Sequence, residues 1–130
     1  MKYLCLAYYD EDKFEALSKA EKDAIEVECK SHDEDLHKSG RLILVGPLAP
    51  TRLTASLRPK KGKASITDGP YAETKEQVGA FFLIEAKDLN EAVGVASKHP
   101  AARLNAHLGW GIEVRPIEFF EQPVTRERHG

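Results

Sequence analysis

Residues 2–9, Lys2-Tyr3-Leu4-Cys5-Leu6-Ala7-Tyr8-Tyr9, are almost continuously apolar and rich in tyrosine. A run of this kind reads as a strand covered on both faces, and so as a central one. Its match lies late in the chain. Residues 78–86 hold Phe81, Phe82, Leu83 and Ile84 in succession and are the strongest strand signal present. What separates the two runs sets the topology. Ser18-Lys19-Ala20-Glu21 puts a hydroxyl at a helix cap and a carboxylate three residues on. This predicts a helix running to about Ser39, with Gly40 as its left-handed stop. Ile25, Cys29, His32 and Leu36 step by four, three and four along it, so they share one face.

Shorter elements fill the rest. Residues 41–45 form an apolar strand closed by Gly46-Pro47. Residues 51–58 alternate, with Leu53, Ala55 and Leu57 on one face and Arg52, Thr54 and Ser56 on the other, which predicts a half-buried strand. Residues 59–62 turn, residues 63–67 return as its hairpin partner, and residues 68–77 are a polar loop. Asp88-Leu89-Asn90-Glu91 repeats the cap pattern and opens a second helix. Leu89, Ala92, Val93 and Ala96 are its inner stripe, and Pro100 ends it. Residues 101–110 are an irregular link. Residues 111–117 are the last strand, with Ile112 and Val114 on one face and Pro116 marking an edge or strand end. The polar residues 121–130 read as a tail. The order predicts an α+β domain over residues 1–120: a ferredoxin-like split βαβ unit with an extra β-hairpin. Two helices on one face of a single sheet leave the other face bare. The simplest cover is an identical sheet, hence a two-fold symmetric homodimer.

Composition narrows the function classes. The chain has 130 residues, 42% hydrophobic and 31% charged, a globular balance for one domain. Its formal net charge of −2 supplies no overall field for nucleic acid. Lys60, Lys61 and Lys63 flank Gly62 and read as a solvated hairpin tip. No stretch approaches the ~20 apolar residues of a membrane helix. Cys5 and Cys29 cannot build a disulfide framework, and Asp10-Glu11-Asp12 interrupts the opening apolar run too early for a signal peptide. A reducing cytoplasm with both thiols free is the expectation.

The segment Asp68-Gly69-Pro70-Tyr71-Ala72-Glu73-Thr74-Lys75-Glu76-Gln77-Val78-Gly79 resembles the signature of the DGPF-motif branch of the YCII-related family, with tyrosine in place of phenylalanine. Met1-Lys2-Tyr3, Gly40-Arg41-Leu42, Gly46-Pro47-Leu48 and Ile112-Glu113-Val114-Arg115-Pro116 match as well, so the resemblance spans about residues 1–118. It implies a dimeric α+β barrel and names no reaction; an association of some relatives with extracytoplasmic-function sigma factors hints at regulation. Related YCII proteins are proposed to use a His–Asp pair. Counted back from Gly46-Pro47 without gaps, the histidine position falls on Cys29, and the aspartate position falls on His99, before Pro100. The chain departs from that pattern at both places.

Several residues are candidates for chemistry. Cys29 and His32 sit three apart on one helix face, and a neighbouring imidazole can activate a thiol; His99 would reach Cys29 from the other helix end. Against this, a free cysteine is commonly a small core residue. In Asp68-Gly69-Pro70 the aspartate accepts backbone amides, the glycine allows positive φ and the proline fixes the bend. The turn either positions the strand after it, or Asp68, Tyr71, Glu73 and Lys75 ring a pocket mouth. Arg103, Asn105, His107 and Trp110 crowd the last link and could line a small-molecule pocket, or Trp110 could pack in a dimer. His32 and His37 are about 140° apart on a helix and cannot share an ion. Asp33 and His37 have ligand spacing but are two groups only, so no metal site is read. There is no Gly-rich phosphate loop, GxSxG, CxxC or HExxH motif, and no cofactor is implied. Two functions stand: a binding or accessory/regulatory module for a small polar ligand, or a small enzyme with acid–base or thiol chemistry at Cys29, His32, Asp68 and His99.

Overall fold

In the computed structural model, residues 1–123 are described. The two long apolar runs lie side by side. β1 (Lys2–Asp10) pairs antiparallel with β5 (Glu76–Glu85). β2 (Leu42–Pro47) flanks β5, and β6 (Gly111–Pro116) flanks β1. The sheet order is therefore β2-β5-β1-β6, with every neighbouring pair antiparallel. β1 is central as expected, and β6, carrying Pro116, is an edge.

Three α-helices join the strands. α1 (Glu11–Glu15) follows β1 directly, started by Asp10, whose carboxylate accepts the Lys13 amide at 3.1 Å. The sequence reading assigns no element to this short helix. α2 (Lys19–Lys38) has the expected capping box: Ser18 Oγ accepts the Glu21 amide and Glu21 accepts the Ser18 amide. Gly40 follows it at φ +74°, the left-handed stop. α3 (Leu89–Ala96) starts on Asp88, which accepts the Glu91 amide at 2.8 Å.

The core lies on one face of the sheet. Tyr3, Cys5, Phe82 and Ile84 point to the helices and pack with Leu36 of α2 and with Ala92, Val95 and Ala96 of α3. Leu42, Ile112 and Val114 close its edges. Burying side chains of the size of Phe82, Leu36 and Ile84 contributes about 1.5–3 kcal/mol each. Strand alternation sends Leu4, Leu6, Phe81 and Leu83 to the opposite face. Leu4, Leu6 and Phe81 stay only partly buried there, so β1 is central without being covered on both sides by its own chain.

The hairpin departs from expectation. Residues 51–53 form a 3-10 turn, and β3 (Ala55–Lys60) pairs with β4 (Lys63–Asp68) in a separate two-stranded sheet. Leu57 and Ile66, directly opposite each other, are 61% and 71% exposed. Ser56 is the buried residue, its hydroxyl donating to the Gly69 carbonyl at 2.8 Å. Leu53, Ala55 and Leu57 are thus not a buried face. Alternation separates two faces of a strand, but it cannot tell which of them meets another layer. The tip turns on Lys61 and Gly62, at φ 52° and 77°, the geometry of a two-residue hairpin loop.

Candidate functional site

α2 touches the core with its C-terminal end; Leu36 is its one fully buried residue. Further toward its N-terminus the helix stands away from the sheet, and a cavity of about 540 Å³ opens between them. Ala7, Tyr9 and Ala80 floor it from β1 and β5, with Val45 and Pro47 from β2. Cys29, Asp33 and His37 come from α2 at intervals of four, one per turn on one face. His99, Pro100 and Ala101 come from the link after α3, and Trp110 and Phe14 complete the wall.

His99 is held on three sides. It precedes a 3-10 turn (Pro100–Ala102), and its Nδ1 accepts the Ala101 amide at 3.0 Å. Its ring stacks on Phe82. Burial pushes its pKa down from 6.5 to about 4, so the imidazole is neutral at pH 7. With Nδ1 accepting, the ring proton sits on Nε2. Among the described residues Nε2 has no protein partner.

The α2 wall has a different balance. Burial, then Asp33 and Glu28, raise the Cys29 pKa from 9.0 to about 11, so the thiol stays protonated. Burial also raises Asp33 above the ordinary carboxylate value, an effect that His37 and His32 offset only in part. His37 Nδ1 donates to the Asp33 backbone carbonyl at 2.7 Å. Tyr9 packs edge-on against Phe14, with ring centroids 5.9 Å apart. Gly79 makes room for it: a Cβ there would lie 2.7 and 2.8 Å from two carbons of the Tyr9 ring.

Of the residues singled out from sequence, Cys29, His99 and Trp110 meet in this cavity. His32 does not line it and instead neighbours Asp33 along the helix. Asp68 is exposed at the end of β4, paired with Ala55. Tyr71 lies under the Arg58 guanidinium at 4.1 Å, and Glu73 and Lys75 are exposed in the loop beyond. These four ring no shared pocket with the helix residues. Arg103 is exposed and donates to the Ser97 carbonyl. His107 is exposed, and its carbonyl takes the Lys13 ammonium at 3.4 Å. Asp33, His37 and Tyr9 join the site without having been assigned to it. The i, i+4, i+8 spacing of Cys29, Asp33 and His37 was the available signal. Among the described residues no three His, Cys, Asp or Glu side chains are arranged to hold a metal ion, and no helix is long and apolar enough to cross a membrane.

An antiparallel α+β sheet with helices on one face and a mainly apolar cavity with a few polar side chains beneath the longer helix defines the class of this protein. Within it, the chain belongs to the YCII-related domain family, whose model matches residues 1–120. It is also similar to an uncharacterized protein of Rhizobium meliloti (strain 1021), with 35% identity over 121 residues, 93% of this chain and 95% of the relative. The positions onto which the resemblance carries the family's His–Asp pair, Cys29 and His99, both line the cavity.

Proposed function

We propose that this protein is a small-molecule-binding module of the DGPF branch, with its ligand held in the cavity beneath α2. The observation that carries this is the convergence of Cys29, Asp33, His37 and His99 on an otherwise apolar and aromatic cleft. Ligand sites have this composition: apolar walls fix shape, and a few polar groups fix orientation. The Asp68–Gly79 signature supports the branch, because its last residue, Gly79, admits the Tyr9 ring to the cavity wall.

The strand order β2-β5-β1-β6 with two helical crossovers supports a ferredoxin-like split βαβ plan with the hairpin inserted between its halves. The partly exposed Leu4, Leu6 and Phe81 face supports a homodimer closed through that face into an α+β barrel. A cytoplasmic setting fits the two free thiols.

A second reading, a small enzyme, is favoured by the neutral His99 and the raised Asp33, which suit proton transfer better than the protonated Cys29 suits thiol attack. Trp110 is the single tryptophan, so its fluorescence reports on the cavity wall. Titration with phenol, benzoate and 2-indanone tests the binding reading. At least one should quench Trp110 saturably, and Cys29→Phe, which fills the cavity, should abolish the effect. If none of the three quenches saturably, or if the quench survives Cys29→Phe, the ligand does not sit there.

A further inference from the structure

We propose that Asp33 and His99 act as a pair on a carbonyl compound in this cavity, Asp33 taking a proton from the carbon next to the carbonyl and His99 Nε2–H holding the carbonyl oxygen. The inference rests on the binding reading above and adds a reaction class to it.

The argument starts from what His99 cannot do. Its Nδ1 lone pair is occupied by the Ala101 amide, so the neutral ring offers the cavity a donor and no base. The Phe82 stack and the turn at Pro100 hold the ring that carries this donor in the cavity lining. A neutral imidazole aimed at a carbonyl oxygen polarises it, and becomes a stronger hydrogen-bond partner as negative charge develops there. A donor of this kind requires a base elsewhere. Among the described residues, the titratable side chains that line the cavity besides His99 are Tyr8, Tyr9, Cys29, Asp33 and His37. Both tyrosines have raised pKa values, Tyr8 and Tyr9 by burial first, and Cys29 is raised to about 11, so these three hold their protons at pH 7. His37 is exposed and spends Nδ1 on the Asp33 carbonyl, which leaves Nε2 as a rival acceptor at the rim. Asp33 is the carboxylate on the wall, among the described residues. Its partial burial makes it a stronger base than a solvated aspartate.

The proton and electron count closes without another reactant. Asp33 takes the proton of the α C–H bond. The pair of electrons from that bond becomes the C=C bond of an enol, and the carbonyl π pair moves to oxygen, where His99 Nε2–H stabilises it. Protonated Asp33 then returns the proton. If the carboxyl proton first swaps with solvent, return to the same carbon gives hydrogen exchange; return to a conjugated carbon gives an isomer. The substrate class is a small, flat, uncharged ketone or enone that the aromatic wall of Tyr9, Phe14 and Trp110 can accept.

The test uses the full chain and 2-indanone in D₂O. Proton NMR follows α-hydrogen exchange while Trp110 quenching follows binding. Wild type should accelerate exchange saturably. Asp33→Asn should slow it by about 100-fold or more. His99→Phe, which keeps the stack on Phe82, should slow it by about 100-fold with the quench constant changed far less. The rate should rise with pH through an ionisation above that of a free aspartate. Normal quenching with exchange unchanged in Asp33→Asn overturns the pair while leaving the binding reading intact. A rate that falls in His37→Gln but not in Asp33→Asn reassigns the base and overturns it as well. Loss of all quenching in wild type defeats the binding reading first, and this inference with it.

Discussion

The imidazole of His99 lies flat on the ring of Phe82, with centroids 4.9 Å apart and planes 4° from parallel. Phe82 is fully buried, so this contact joins the core directly to the cavity wall. It also removes water from one face of the imidazole, and so contributes to the burial that lowers its pKa.

That contact makes stability depend on pH. His99 titrates at 6.5 when unfolded and at about 4 when folded. Between these values the unfolded chain binds more protons than the native one, so stability falls as pH drops through 6.5 toward 4. The loss should be of the order of 2 kcal/mol after allowance for solvent screening. Urea denaturation at pH 7, 5.5 and 4.5 should show it, and His99→Phe should flatten the slope over that window. An unchanged slope in His99→Phe would mean that another group carries the effect.

The two thiols should be slow in the native state. At pH 7 roughly one Cys29 thiol in ten thousand is ionised, given a pKa of about 11. Cys5 is fully buried, and burial raises its pKa to about 12. An aromatic disulfide reagent should therefore react with neither rapidly at pH 7, and with both once guanidinium is added. Asp33→Asn removes one of the charges that raise Cys29, so it should speed the native reaction at pH 8. Fast stoichiometric labelling of wild-type Cys29 at neutral pH would restore the thiol mechanism.

Gly79 should tolerate no side chain while Tyr9 is present. The added methyl of Gly79→Ala meets the Tyr9 ring at 2.7 Å, and Phe14 limits where that ring can go. The expected cost is about 1–3 kcal/mol in denaturant unfolding. Combining it with Tyr9→Ala should recover much of that cost, a coupling that a double-mutant cycle measures directly. Additive losses would show that the clash is relieved some other way.

The face opposite the helices should be an interface. Light scattering should give twice the mass of the chain, and Leu6→Glu should give a folded monomer by the same measurement with its far-UV spectrum kept. The hairpin points the same way. Two-stranded hairpins are marginal alone in water, yet the Leu57–Ile66 pair is exposed on both strands. Leu57→Asp should therefore weaken association more than it weakens the fold. A wild type that stays monomeric at high micromolar concentration would remove the basis for the barrel.

Local and periodic features were legible in the sequence. The cap at Ser18, the cap at Asp88 and the stop at Gly40 stand where short-range rules place them, because each is satisfied by bonds within a few residues. The central place of β1 and the edge place of β6 were legible too, from an unbroken apolar run and from Pro116. The hairpin was legible as a pairing but not as a free-standing one, since Leu57 and Ile66 alternate as core residues would. The site was half legible. Cys29, His99 and Trp110 stood out by residue type, but residue type alone also singled out Asp68, Tyr71, Arg103 and His107, which lie elsewhere. Which of them share a cavity depends on how far α2 lifts off the sheet between Cys29 and Leu36. That gap is set by packing between residues remote in the chain, and no spacing rule within the helix contains it.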